Sequence, residues 1–148
     1  TAQETQEGDV VNVAGALSTV DGERAITSAN VAIVSSGGLG PEPLGMPNLT
    51  LGGTGSGIAG SGGLYNIGLL IRAWGEVTYT GSDYFYLDDG SALNDGSGHL
   101  GVKVRASGLN LPSQGSYVAV AGISSCFKTN ENLYRLVRVR RQEDIRPL

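Results

Sequence analysis

Between Asn66 and Ser91 the chain reads NIGLLIRAWGEVTYTGSDYFYLDDGS, and this stretch limits the fold more than any other. Leu69, Ile71, Ala73, Gly75 and Val77 share one side of an extended chain; Leu70, Arg72, Trp74, Glu76 and Thr78 share the other. Alternation of period two, held for about nine residues, is the pattern of a half-buried strand. Gly81-Ser82-Asp83 then turns the chain, Tyr84-Phe85-Tyr86-Leu87 returns it, and Asp88-Asp89-Gly90-Ser91 stops the second strand. Gly75, in mid-strand, marks a bulge or sharp coil of the kind a small barrel needs to close.

Nothing elsewhere competes with this reading. Helix formers are sparse, no segment holds a 3.6-residue period, and 24 glycines punctuate the 148 residues, so the chain is expected to be all-β. The run IRAWGEVT…YFYLDDGS…GVKVRA…LPSQGSYVAVAGISS…YRLVRVRRQEDI resembles an OB-fold module of the nucleic-acid-binding type over roughly Ile67 to Ile145. The resemblance implies a five-stranded OB-like Greek-key barrel. For function it implies little, because such barrels bind DNA, RNA, sugars or proteins, and some bind nothing.

Ahead of the barrel lies half a repeat. Gly8-Asp9-Val10-Val11-Asn12-Val13-Ala14-Gly15-Ala16-Leu17-Ser18 aligns without gaps on the eleven residues from Gly115 to Ser125, with six identities. Asp21-Gly22 forms a hairpin turn, and Arg24 to Val34 supplies a second β-rich segment. Residues 8 to 35 therefore look like the last two strands of a second OB copy whose first three strands are missing. A lone hairpin is marginal in water. It either packs on its own barrel, completes a sheet in another copy, or belongs to a domain whose remainder is absent. The expected organisation is a β-hairpin arm at 1–36, a Gly/Pro-rich connector at 37–63 and the barrel at 64–148. The connector holds eleven glycines with Pro41, Pro43 and Pro47, and Met46 and Leu49 are candidate anchors to a protein surface. Asn48-Leu49-Thr50 is a glycosylation sequon, which makes Asn48 a candidate glycan acceptor.

If Ile71, Ala73, Val77, Phe85, Leu87, Val102 and Val104 point inward, the opposite parity gathers Arg72, Trp74, Tyr84, Tyr86, Lys103 and Arg105 on the outer face. On OB folds that face stacks bases or sugars on aromatics and meets phosphates with cations. The competing expectation is that these aromatics are covered by the connector or by a neighbouring chain. The Arg-rich strand Tyr134 to Arg141 reads as an edge kept soluble by charge, or as a phosphate contact. Asp88-Asp89-Gly90-Ser91 and Asn94-Asp95-Gly96-Ser97 lack the spacing of a calcium loop and read as turns. His99 and Cys126 have no visible catalytic partner, and Cys126 reads as a small buried hydrophobe. No cofactor, metal site or catalytic constellation is expected.

Charge favours protein over polyanion. Residues 1 to 63 carry Arg24 against six acids, and residues 64 to 148 carry nine Lys/Arg against eight, for the overall net of −4. A chain this acidic makes a poor partner for phosphates. Only 16% of residues are charged and the pI is about 4.8, a composition that points to an exported or cell-surface protein. Thr1 opens the chain without Met, as in a processed or trimmed N-terminus. No apolar run reaches membrane-spanning length. The leading expectation is a non-enzymatic, extracellular structural subunit that self-associates through strand pairing into a filament. Its arm is carried by Val10, Val11, Val13, Ile26, Val31 and Ile33. The alternative is an OB module whose outer face binds single-stranded nucleic acid or a glycan.

Overall fold

The computed structural model describes residues 4–148. Its described residues form nine strands in two sheets, joined by turns and two short 3-10 segments: an all-β protein. The chain divides into two compact units, one ending at Glu42 and the other spanning Pro43–Leu148.

The first unit is a ribbon of two antiparallel strands, β1 (Val10–Val20) and β2 (Glu23–Ser35). Asp21 and Gly22 join them with φ of 49° and 90°. Positive φ at both central residues is the turn whose twist matches the flanking strands, and Asp-Gly is the pair that adopts it most readily. Halfway along, the register slips between Ala14 and Ala16, where Ser28 takes a φ of 50°.

The second unit holds β3 (Leu44–Gly45), β4 (Leu70–Thr80), β5 (Tyr84–Asp88), β6 (Val102–Arg105), β7 (Tyr117–Thr129), β8 (Asn132–Arg138) and β9 (Ile145–Pro147). They form one sheet in the order β3-β4-β5-β6-β8-β7-β9, and a further pairing of β4 with β7 closes it into a barrel-like ring. Neighbours in the ring are antiparallel except β6 and β8, which run parallel. The short strands β3 and β9 lie beside β4 and β7 and were not foreseen. All seven residues expected to point inward are at most 2% exposed, and Val118, Val120 and Val137 join them in one core.

Gly75 has a steric reason to be glycine: a Cβ there would lie 2.1 Å from the Asp88 carbonyl oxygen. The register shift itself falls two residues later, between Val77 and Tyr79. The glycine-rich stretch behaves differently from a connector. From Pro43 onward it belongs to the barrel unit, with Leu51 wholly buried and Met46 and Ile58 nearly so. Asn66 ties it down. Its Oδ1 accepts from the Gly52 N–H (2.8 Å) and the Ser124 hydroxyl (2.7 Å), and its Nδ2 donates to the carbonyls of Thr50 and Leu64. Met46 anchors as expected, whereas Leu49 is half exposed and Leu51 takes the buried place.

Candidate functional site

Two features could carry function: the outer aromatic face of the barrel and the ribbon. On β5, Phe85 and Leu87 enter the core, and Tyr84 and Tyr86 take the other side. Tyr84 pairs with Arg105 and Tyr86 with Lys103 across β6, so these four of the six expected face residues do come together. Trp74 and Arg72 do not join them. They pair with Ala119 and Ala121 of β7, on the opposite side of β4 from β5. Trp74 is 43% exposed, with its ring beside Gly45 of β3.

The tyrosine side has members the sequence did not reveal. The register shift at Thr78 brings Tyr79 opposite Tyr86, and their rings lie 6.4 Å apart. His99 stacks on Tyr79 at 3.7 Å and 17°, and lies 5.2 Å from Tyr86. Lys103 places its ammonium 4.1 Å from the Tyr84 ring and 5.1 Å from that of Phe127, which in turn meets Tyr134 at 5.6 Å. The result is a continuous band of rings bridged by one cation.

This band is largely satisfied by its own members. Tyr86, expected on an open platform, is only 2% exposed, and its hydroxyl donates to Asp95 Oδ2 at 2.6 Å. Burial, reinforced by that carboxylate, pushes the Tyr86 phenol well above its ordinary range. For Asp95, burial works toward protonation, but hydrogen bonds from Ser97 and Tyr86 outweigh it and hold the carboxyl below its usual value. A cavity of about 20 Å³ remains between Asp95, Lys103, Tyr134 and Arg135, room for about one water and not for a base or a sugar ring.

Other sequence-based candidates take structural places. Asn48 is wholly buried; its Nδ2 donates to the Leu87 carbonyl and its N–H to Asp89 Oδ2, both at 2.7 Å. A glycan on that nitrogen would have to break the Leu87 bond and open the core, so the sequon is a packed corner of the folded barrel. Asp89 is held below its ordinary range because bonds from Ser91 and the Asn48 N–H overcome the opposing effect of burial. Asp88 accepts from the Ala92 N–H, and Asn94 and Asp95 from those of Gly96 and Ser97, so both acidic stretches cap their own turns. Among the described residues no three His, Cys, Asp or Glu side chains gather as metal ligands.

The Arg-rich strand corrects another expectation. β8 lies between β6 and β7 and is not an edge. Its neighbourhood uses the arginines internally. Arg135 donates to the Leu49 carbonyl at 3.0 Å, Arg138 to the Ser125 hydroxyl at 2.8 Å, and Arg140 bidentately to Asp144 at 2.9 and 3.0 Å. Burial lowers the pKa of Arg135. Cys126 is buried.

The ribbon is the opposite case. Cross-strand partners share a face, so Val11 with Ile33 and Val13 with Val31 form apolar pairs, and Leu17 with Ile26 continues them beyond the bulge. The other face carries Asn12 with Ala32 and Ala14 with Asn30, and also Val10 at its end. Five of the six expected arm residues, Val11, Val13, Ile26, Val31 and Ile33, thus line one stripe. The structure adds Leu17 to it and sets Val10 apart. Yet Val13 is 44% exposed, Leu17 71% and Ile26 48%, and no third strand joins the sheet among the described residues. No helix among those residues is long and apolar enough to cross a membrane. No family model, curated protein or solved structure matches this chain.

Proposed function

We propose that this chain is a non-enzymatic structural subunit built on an OB-type barrel, and that its N-terminal ribbon joins it to a neighbouring β unit by strand pairing. A series of such joints makes a filament, and the low charge and high glycine content suit the outside of a cell. The OB assignment is supported by the ring order, in which three strands form a meander, the third lies parallel to the fifth, and the fourth closes on the first. One observation carries the functional reading: a ribbon roughly 35 Å long, at about 3.3 Å per residue, leaves Val13, Leu17 and Ile26 of its apolar stripe exposed, and among the described residues no further strand joins either edge. Native proteins rarely leave such edges unmanaged, and strand addition satisfies their backbone groups whatever the side chains. The barrel makes a poor acceptor, because a closed ring has no long edge to offer.

Size-exclusion chromatography and electron microscopy of the full chain test the reading. Concentration-dependent assembly that is lost on deleting residues 1–42 supports it; a clean monomer at high concentration sinks it. A second reading, a binding face for single-stranded nucleic acid or a glycan, draws on the Tyr79/Tyr84/Lys103/Phe127 band. It is weakened by the stacking that already fills that band. Tight binding that is lost on Tyr84→Ala would favour it.

A further inference from the structure

We infer that β1 and β2 are the fourth and fifth strands of a second barrel of the same plan, and that their bare surface is built to receive a three-stranded antiparallel meander from the unit preceding the ribbon. The inference rests on the ribbon being the joint and names what the joint takes.

The sequence alignment of Gly8–Ser18 on Gly115–Ser125 has a counterpart in the pairing. In the barrel, Val118, Ala119 and Val120 of β7 face Pro147, Arg146 and Ile145 of β9, and Ile123 faces Arg138 of β8. Shifted by the same offset, Val11, Asn12 and Val13 of β1 face Ile33, Ala32 and Val31, and Ala16 faces Thr27. The single strand β2 thus makes the pairings that β8 and β9 make together. The excursion between β8 and β9 is reduced to the bulge at Ser28. The aligned glycines also do the same job. A Cβ on Gly122 would lie 2.7 Å from the Arg138 carbonyl oxygen, and one on Gly15 2.7 Å from that of Thr27. At both positions the partner strand crosses too closely for a side chain.

What differs is what lies on the other side. In the barrel, the edge of β7 from Tyr117 to Ile123 is taken by β4, and β8 is flanked by β6. Val118 and Val120 then look into the core at 2% and 0% exposure. Their counterparts Val11 and Val13 have the same orientation, but among the described residues neither belongs to a core cluster, and Val13 is 44% exposed. In the ribbon the places of β4 and β6 are empty among the described residues. The matching partner would run its first strand antiparallel to Val10–Ala16 and its third parallel to the first half of β2. Its apolar side chains would pack on Val11, Val13, Leu17 and Val31. In the barrel the meander precedes the hairpin, and that order assigns the partner to the preceding unit.

The chain's own meander is the probe. Residues 64–114 are placed directly ahead of Gly8 of the full chain, so that Gly8 follows the meander as Gly115 does. Backbone amides of Val10–Ala16 that do not face β2 should then exchange at least about a hundredfold more slowly than in the unextended chain held monomeric by dilution. The same segment added as a separate polypeptide should give protection that rises with its concentration. Unchanged exchange in both formats overturns the inference. If the unextended chain assembles and the fusion assembles just as well with those amides unprotected, the ribbon is a joint of another kind: the inference falls and the proposed function stands. If the unextended chain is monomeric while the fusion protects the amides, self-association falls and the second barrel stands.

Discussion

Leu49 and Leu51 sit two residues apart in the same glycine-rich stretch, yet one is half exposed and the other wholly buried. Leu51→Ala should therefore cost about 2–5 kcal/mol as a core cavity, whereas Leu49→Ala should stay within about 1 kcal/mol; urea unfolding monitored by Trp74 fluorescence measures both. Equal effects would mean that the stretch does not belong to the core. Trp74 supplies a similar contrast. Its outward register was legible from parity with Arg72 and Glu76, and at 43% exposure Trp74→Ala should cost well below the roughly 3–5 kcal/mol of a buried aromatic such as Phe85. Asp89 and Asp95 contribute to the acid response of the barrel. Both carboxyls are held below the ordinary 3.8 in the folded chain. The unfolded chain therefore binds protons first as pH falls, so their stabilisation is present above about pH 4 and is lost progressively below it. Asp95→Asn should lower the melting temperature at neutral pH and flatten its fall between about pH 5 and pH 3. An unchanged acid slope in that variant would remove Asp95 from the account.

Elements were legible where a pattern was local. The alternation from Leu69 to Val77 gave β4 and its inward set, and Asp21-Gly22 gave the hairpin turn. Tyr79 was missed because the shift at Thr78 reverses the parity of everything after it, and a one-residue slip moves a side chain to the other face. The interior position of β8 was missed because its parallel neighbour β6 is roughly thirty residues away in sequence, and no local period reports such a pairing. β3 and β9 are too short to show alternation. Tyr84 and Tyr86 were placed on the correct side, but their cover, His99 and Asp95, comes from a loop whose path no strand pattern fixes. At this scale the ribbon yields the sharpest test. Leu17 is the most exposed apolar residue of its stripe, at 71%, and lies in mid-strand. Leu17→Lys should leave barrel stability unchanged within about 0.5 kcal/mol and abolish assembly in sedimentation velocity. Retained assembly would exclude the apolar stripe as the joint.

At the scale of the whole molecule, charge separates the two readings of function. The unit ending at Glu42 carries one basic residue against six acids, and Pro43–Leu148 carries nine against eight. Several of those basic groups are already engaged: Arg140 with Asp144, Arg138 with Ser125, Arg135 with a backbone carbonyl, Lys103 over two rings. Affinity for a polyanion comes mainly from cations that displace condensed counterions, and each phosphate neutralised steepens the salt dependence. A barrel of net +1 with several of its cations committed internally has few to offer. The full chain should therefore bind single-stranded DNA more weakly than about 10 μM at physiological salt, and fluorescence anisotropy should give a shallow slope of log affinity against log salt. Arg105→Ala, at an exposed position of the aromatic band, should change neither value measurably. A complex tighter than about 1 μM with a steep slope, weakened by both Arg105→Ala and Tyr84→Ala, would establish the band as a nucleic-acid face. The ribbon would then be secondary to it.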